Sequence, residues 1–306
     1  MNHEHSEYSL LFTNEGLQAM RDGETTMDEP YQAAPDVFVL PTHIPIPGVG
    51  NLIANAYVLR AEEPVLIDTG LGVDSPDFIA ALESILDPRD LRWIWLTHDD
   101  ADHTGSIQRV MEVAPQARLA TQMFSAMRMT TWWPVPLDRL RVVTFGDGLN
   151  VGDRTLRAIR PPTFDNPLST GIFDESAGTL FSVDTFGAIL PEVSTNCADI
   201  PADTLTQGMV AWGTFDSPWA HLVDTDRFDV VLDRIQRLQP SLILSSHLPA
   251  ATGSCDRFLE VVRSLRDADP FPMPDHAAFE QMLALMGPPP ATNGAKPVAA
   301  APLATA

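Results

Sequence analysis

The sequence predicts an α/β protein in which two β-sheets pack together and helices cover their outer faces. The chain has 306 residues, of which 44% are hydrophobic, so a large core can be buried. Strand-like and helical runs alternate through most of the chain, and they form two similar halves, each with strands followed by helices. This order of elements is typical of a layered α/β sandwich.

The first half alternates short apolar runs with amphipathic ones. The runs that we expect to be strands lie at 37–40, 55–59, 65–68, 91–96 and 117–121. Apolar residues at helical spacing predict helices over 77–86, which Pro88 follows, and over 106–113.

The second half repeats this order of elements. Turn sequences GDG and VGD separate several of the predicted strands, which lie at 140–145, 149–151, 156–159, 178–183 and 241–245. Helices are predicted over 228–238 and 256–268.

Composition divides the chain into three parts. Residues 1–34 are polar and acidic and are expected to form an N-terminal arm, whereas 35–286 form the folded domain. Residues 287–306 are rich in proline and alanine and are expected to be a disordered tail. The start shows no signal peptide, and no apolar run is long enough to span a membrane.

Charge and cysteine content limit the partners and the compartment. The 41 acidic residues outnumber 19 basic ones, which gives a formal net charge of −22. Such a surface repels phosphate groups, so we expect neither nucleic acid nor a membrane as a partner. Two cysteines without a CxxC pair suit a reducing compartment, and we therefore expect a cytoplasmic protein.

The segment Thr97–Gly105, THDDADHTG, carries the clearest chemical signal. It places His98, Asp100, Asp102 and His103 directly after the apolar run WIWL. Imidazoles and carboxylates are ligands of divalent and trivalent first-row metals. An acidic helix cap with two solvated histidines is the alternative, but two histidines that bracket three aspartates behind an apolar strand favour a metal site.

Two distant residues strengthen this interpretation. Asp184 follows the apolar run LFSV, and His247 follows LILSS. A buried carboxylate is costly unless a cation compensates its charge. Each residue alone is more typical of a cap or of ordinary packing, but together with 98–103 they predict one metal centre.

These residues resemble, in order and spacing, the metallo-β-lactamase superfamily. The matching features are LIDTG at 66–70, HxDxDH at 98–103, Asp184 and His247, and they extend over about 36–265. The resemblance implies a four-layer αββα sandwich. The superfamily usually has HxHxDH, whereas the flavodiiron and oxygen-binding di-iron branch has HxExDH, which the carboxylate of Asp100 resembles. LFSVDTFGA at 180–188 is similar to the strand around the bridging aspartate of that branch.

The resemblance implies the following ligand set. His98 and Asp100 would bind a first metal, Asp184 would bridge, and the ligands of the second metal would be Asp102, His103 and His247. In some members of the branch the histidine equivalent to His103 is turned away. Asp68 would orient the ligand loop without touching metal.

Asp165 is where the chain departs from the branch, which has a histidine 19 residues before the bridging aspartate. Two alternatives stay open. If Asp165 binds, the first site is rich in oxygen donors and favours iron or manganese over zinc. If Asp165 points away, the first site lacks ligands.

Aromatic residues and one further histidine are candidates for a substrate pocket over the metals. They lie in connections rich in proline and are Trp132, Trp133, Trp212, Trp219 and His221. Ordinary packing of helices against the sheets is the alternative for all of them.

The resemblance implies an oxidoreductase or gas sensor that holds two metal ions, iron favoured over manganese or zinc. It would bind or reduce O₂, NO or a peroxide. No flavodoxin-like sequence follows Leu265, so we expect no flavin in this chain and a separate electron-donor protein. The resemblance also implies a homodimer. The alternative is a hydrolase of a lactone, thioester or other ester that uses a metal-activated water. A third hypothesis is a degenerate metal site that only binds a partner.

Overall fold

The computed structural model describes residues 25–46 and 50–280. Its first sheet has eight strands in the order β1-β3-β4-β5-β6-β7-β8, with β2 paired to β3. The strands are β1 (Thr26–Met27), β2 (Tyr31–Ala34), β3 (Val37–Ile46), β4 (Gly50–Leu59), β5 (Val65–Ile67), β6 (Trp93–Trp95), β7 (Arg118–Thr121) and β8 (Leu140–Val142).

The second sheet has six strands in the order β14-β13-β12-β11-β10-β9. They are β9 (Gly148–Asn150), β10 (Thr155–Ile159), β11 (Gly171–Asp174), β12 (Thr179–Val183), β13 (Leu242–Ser245) and β14 (Ala251–Thr252).

Seven α-helices have both of their ends within the described residues. They are α1 (Ser75–Ile85), α2 (Ala101–Thr104), α3 (Ile107–Val113), α4 (Met123–Met129), α5 (Ala202–Asp216), α6 (Thr225–Gln236) and α7 (Cys255–Ser264). Short 3₁₀ turns lie at Pro88–Asp90, Leu137–Arg139, Cys197–Asp199, Pro218–Leu222 and Leu265–Asp267. None of the helices in 25–46 or 50–280 has the length and apolar character needed to cross a bilayer.

Three hydrophobic clusters separate four layers. Because successive strand residues face opposite sides, Val58 of β4 packs towards helices α1 and α3, whereas Tyr57 packs towards the second sheet. Phe181 of β12 likewise faces the first sheet, and Leu180 packs under helices α5 to α7. The layers are therefore helices, sheet, sheet and helices, which confirms the predicted αββα sandwich.

The structure extends the sequence-based assignment at several places. Residues 26–34 of the predicted arm add β1 and β2 to the first sheet by pairing with β3. Helix α5 was not predicted, because its glycines and threonines mask the apolar spacing. Gly208 is needed there, since a Cβ atom would lie 2.4 Å from the carbonyl oxygen of Ile189. The predicted tail at 287–306 lies outside the described residues.

Strand direction determines where the polar loops meet. β5 and β6 are parallel neighbours in the first sheet, and β12 and β13 are parallel neighbours in the second. The carboxyl ends of parallel strands lie at the same edge of a sheet. Asp68 therefore lies next to His98, and Asp184 lies next to His247.

Candidate metal centre

The loop after β6 contributes four polar side chains to one edge of the sandwich. His98 is 1% exposed and His103 is 2% exposed, whereas the side chains of Asp100 and Asp102 are 30% and 28% exposed. The Nε2 atom of His98 lies 3.5 Å from a carboxylate oxygen of Asp100, and that of His103 lies 3.4 Å from Asp102. The loop thus presents paired imidazole and carboxylate groups to one centre.

Asp184 lies between these pairs. Its Oδ1 atom is 3.2 Å from Nε2 of His103 and 3.2 Å from Nε2 of His247. Its Oδ2 atom faces His98 at 3.7 Å and is buried without a hydrogen-bond partner. One carboxylate therefore faces two groups of ligand atoms, which is the geometry of a bridging ligand.

The Nδ1 atoms of two histidines donate hydrogen bonds that fix the orientation of their rings. Asp68 accepts a hydrogen bond of 2.9 Å from Nδ1 of His103, and the carbonyl oxygen of Ile53 accepts one of 2.7 Å from Nδ1 of His247. Asp68 also accepts from the backbone amide and the hydroxyl of Thr97. A proton on Nδ1 leaves the lone pair of Nε2 free to bind metal.

The loop that carries His247 is fixed from the first sheet and from α5. The side-chain amide of Asn55 donates to the carbonyl oxygens of Ser245 and Leu248, at 3.0 and 2.9 Å. The ring of Trp212 packs 4.4 Å from that of His247, and its Nε1 atom donates to the carbonyl oxygen of Asp184. Trp212 thus contacts two candidate ligands and fixes their positions.

Asp165 lies at the solvent side, on the loop between β10 and β11, and the residue is exposed. One of its oxygens, together with ligand atoms of His98 and Asp100, forms a group within 4.8 Å. Trp219 anchors this loop, because its Nε1 atom donates to the carbonyl oxygen of Phe164 at 2.8 Å. The structure therefore turns Asp165 towards the centre.

Three further residues at the site were not assigned to it from the sequence. Asn166 donates hydrogen bonds to Asp99 and Asp100, and the carboxylate of Asp99 also pairs with Arg128 at 2.9 Å. Asp216, at the end of α5, places an oxygen within 4.8 Å of Asp165 and Asp184. The only sequence signal for Asp216 was its place in FDSPW, next to the aromatic cluster.

Other candidates for the pocket lie elsewhere. Trp133 is 7% exposed and belongs to the core between the first sheet and its helices. Trp132 is 48% exposed on the surface, and His221 is exposed in the turn Pro218–Leu222. His221 belongs to none of the groups of possible ligand atoms found in the described residues.

The backbone is strained next to the candidate ligands. Among the described residues, four other than glycine have a positive φ, and three of them are Asp68 (59°), Val183 (57°) and Phe186 (71°). A left-handed conformation is costly for a β-branched residue such as Val183. Strain of this kind concentrates at functional sites, and here it lies directly before Asp184, where the pairing of β12 with β13 shifts register.

Charges within the cluster shift several pKa values. Burial opposes protonation of His103, but the carboxylates of Asp102, Asp68 and Asp184 outweigh it and raise its pKa well above the usual range. Hydrogen bonding to His98 lowers the pKa of Asp100 to about 2, although burial opposes this. Burial and then the charges of Asp184 and Asp100 raise the pKa of Asp165 to about 6. The cluster is therefore rich in negative charge.

These residues fit two metal ions. One group of possible ligand atoms comprises His98, Asp100 and Asp165, and a second comprises Asp102, His103 and His247. Asp184 faces both groups, and its unpartnered Oδ2 atom lacks the compensation that a cation would supply. The structure brings together all seven residues predicted as ligands.

Comparison with known proteins identifies the family to which the chain belongs. A profile of the metallo-beta-lactamase superfamily matches residues 49–247. The type A flavoprotein of Rhodobacter capsulatus is 31% identical over 137 residues, which are 44% of this chain and 32% of that protein. The anaerobic nitric oxide reductase flavorubredoxin of Salmonella typhi is 30% identical over 134 residues, 44% of this chain and 28% of that protein. The matches thus span about a third or less of these relatives' lengths.

Solved structures agree with this placement at the level of the fold. The flavodiiron protein from Giardia intestinalis superposes with a TM-score of 0.69 at 15% identity, over 79% of this chain and 60% of that chain. Rubredoxin oxygen:oxidoreductase from Desulfovibrio gigas gives a TM-score of 0.66 at 19% identity, over 78% and 61%. This chain belongs to the metallo-β-lactamase superfamily, and it has sequence and structural neighbours in the flavodiiron protein branch.

Proposed function

We propose that this protein holds two metal ions, with iron favoured, and binds or reduces O₂, NO or a peroxide as an oxidoreductase or a gas sensor. The observation that carries the proposal is the position of Asp184, whose two oxygens face two separate groups of ligand atoms. His98 and Asp100 would hold the first ion together with Asp165. Ligands of the second ion would be Asp102, His103 and His247.

The donor atoms favour iron. The first group has one imidazole and two carboxylates before the bridge is counted, and the second has two imidazoles and one carboxylate. Carboxylate oxygens are hard donors that suit iron and manganese better than zinc. Bound iron would supply the one-electron steps that reactions of O₂ and NO require.

The protein's own residues restrict access and hold the ligands. His98, His103 and Asp184 are each at most 3% exposed, whereas Asp100, Asp102 and Asp165 face solvent to a greater degree. A small ligand would therefore approach past the three carboxylates. Asp68 and the carbonyl of Ile53 hold the imidazoles of His103 and His247 in the required tautomer.

Electrons would come from a separate protein in this proposal. The name of the Desulfovibrio gigas neighbour, rubredoxin oxygen:oxidoreductase, couples oxygen reduction to an electron-transfer protein. By analogy, we assign to this chain the metal centre of such a reaction and to a donor protein the supply of electrons. Without such a partner, the same centre would act as a sensor of the gas.

Metal content and reactivity with O₂ or NO test the proposal. The protein is prepared without oxygen, loaded with iron, manganese or zinc, and analysed for metal per chain. We expect two iron ions per chain and consumption of O₂ or NO when a chemical reductant is supplied. His247→Ala should lose the second ion. The control His276→Ala changes a histidine whose side chain is 81% exposed, and it should retain both ions.

One result would contradict the proposal and favour the hydrolase. It is a protein that retains two zinc ions, hydrolyses lactones or thioesters, and leaves O₂ and NO unchanged in the presence of reductant.

A further inference from the structure

Asp216 is a buried carboxylate without a basic partner in the described part of the chain. It is the last residue of α5 and is 7% exposed. The hydroxyl of Ser217 donates a hydrogen bond of 2.9 Å to its Oδ2 atom, and no arginine or lysine of residues 25–46 or 50–280 forms an ion pair with it. A carboxylate in this position needs compensation from another source.

The surroundings of Asp216 make a negative charge still more costly. The carboxyl end of a helix carries a partial negative charge, and α5 is 15 residues long. One oxygen each of Asp165, Asp184 and Asp216 lie within 4.8 Å of one another. Three carboxylates and a helix carboxyl end thus meet at one point, where a cation is the natural counter-charge.

An independent observation shows where that cation would lie. The Oδ2 atom of Asp184 is buried, has no hydrogen-bond partner and faces His98 rather than His103. Asp184 as a whole is 3% exposed. Asp165 belongs both to the group of His98 and Asp100 and to the group of Asp184 and Asp216, which places Asp216 on the side of the first site.

We propose that Asp216 is a further ligand of the first metal ion, an inference that rests on the metal centre proposed above. The first site then has one imidazole, from His98, and its carboxylates come from Asp100, Asp165, Asp184 and Asp216. The second site keeps two imidazoles and has Asp102 and the shared Asp184.

The inference makes the two sites unequal in donor type. Hard oxygen donors dominate the first site, so it should select manganese or ferric iron against zinc more strongly than the second site does. With five carboxylates around both ions, the pair also has the charge to compensate one divalent and one trivalent ion.

Metal binding to a matched pair of variants tests the role of Asp216. Asp216→Asn keeps the shape of the side chain and removes its charge, whereas Asp203→Asn makes the same change at an exposed position in the first turn of α5. Each protein is loaded with manganese, and its affinity is measured by competition with a chelator. We expect Asp203→Asn to bind two ions with the affinity of the unmodified protein. Asp216→Asn should bind the ion of the first site about tenfold or more weakly than the unmodified protein does, and it should bind the ion of the second site unchanged.

The outcomes separate this inference from the proposed function. If Asp216→Asn binds both ions with unchanged affinity, Asp216 is only a hydrogen-bonded core residue and the inference is wrong. If the unmodified protein retains no metal at all, the proposed function itself fails.

A measurement on the unmodified protein covers the case in which Asp216→Asn does not fold. The protein is crystallised with manganese bound, and anomalous diffraction locates the manganese ions. An Asp216 oxygen at about 2.0–2.5 Å from the first ion supports the inference, and a longer distance overturns it.

Discussion

Gly187 shows how tightly the candidate ligands are packed. A Cβ atom there would lie 2.4 Å from Nε1 of Trp212 and 2.8 Å from Cβ of His247. Neither neighbour can move freely, because Trp212 donates to the carbonyl of Asp184 and His247 donates to that of Ile53. Position 187 therefore has room only for glycine.

Gly187→Ala should displace Trp212 and His247 together. We expect the affinity for the second metal ion to fall about tenfold or more and the protein to lose about 1–3 kcal/mol of stability from overpacking. Chelator competition and chemical denaturation measure the two effects.

Gly253→Ala is the control for this change. Its Cβ atom meets no atom within 4 Å, but its φ of +63° strains any other residue, so it should reduce stability without changing metal affinity. Equal losses of metal affinity in both variants would show that the effect of Gly187→Ala is not local.

Single residues also show what the sequence can and cannot predict. His98 and His103 were predictable because a short loop after an apolar strand fixes their positions within a few ångströms of each other. Asp216 was not, because helical spacing does not show that the last turn of α5 faces a loop more than 30 residues earlier in the chain. Trp133 was ambiguous, since an aromatic pair suits a pocket wall and a core equally.

Strand β4 connects the first sheet to the ligand loop of the second. Asn55 is 4% exposed and donates to two backbone carbonyls on either side of His247. The hydroxyl of Tyr57 donates to one of them, that of Ser245, at 2.6 Å. The backbone amide of Asn55 also donates to the carbonyl oxygen of Ser246 at 2.8 Å, so the strand fixes the backbone of this loop.

Asn55→Ala should therefore loosen the loop of His247. The loss of buried hydrogen bonds should cost about 1–3 kcal/mol, and metal should restore part of that stability because it binds only the ordered loop. Thermal unfolding with and without metal measures both effects.

Asn51→Ala is the matched change on the same strand. The Asn51 side chain makes an exposed hydrogen bond to the carbonyl of Pro191, so its loss should change stability by at most about 0.5 kcal/mol. If the two variants lose the same stability, the bonds of Asn55 do not hold the loop.

Elements differed in how well the sequence predicted them. Strands such as β6 and β12 were evident because they are mostly apolar, are buried on both faces and are followed within two residues by polar ones. The two-residue strand β1 gave no pattern, since so short a segment depends on its pairing with β3 rather than on its own residues.

The whole molecule should depend on metal in a way that changes with pH. Without metal, Asp165 has a pKa of about 6 in the folded chain, above its ordinary value of 3.8. The proton is therefore bound more tightly in the folded state, and this stabilisation is lost as pH rises through about 6. The raised pKa values of His103 and Asp216 act in the same direction.

We accordingly expect the metal-free protein to have a lower melting temperature at pH 7.5 than at pH 5. Asp100, with a pKa of about 2, acts oppositely but only at lower pH. Bound metal should remove most of the difference, because the cations compensate the carboxylates. Melting curves with and without chelator at both pH values provide the check, and a metal-free protein more stable at pH 7.5 would contradict it.

The architecture was predictable from a resemblance that depends on few residues. LIDTG, the HxDxDH loop, Asp184 and His247 fix the positions of four strand ends, and these determine the sandwich. The chemistry was less predictable, because one position, Asp165, departs from the branch and the proposed additional ligand comes from a helix without a recognisable pattern.

The arrangement of ligands has a consequence for how such chains can change in evolution. Residues 98–103 belong to the first half of the sandwich, and Asp165, Asp184, Asp216 and His247 belong to the second. Neither half contains all of the candidate ligands. A chimera that joined the halves of two relatives would therefore inherit a working centre only if both parents used the same donors, so the halves are expected to diversify as a pair.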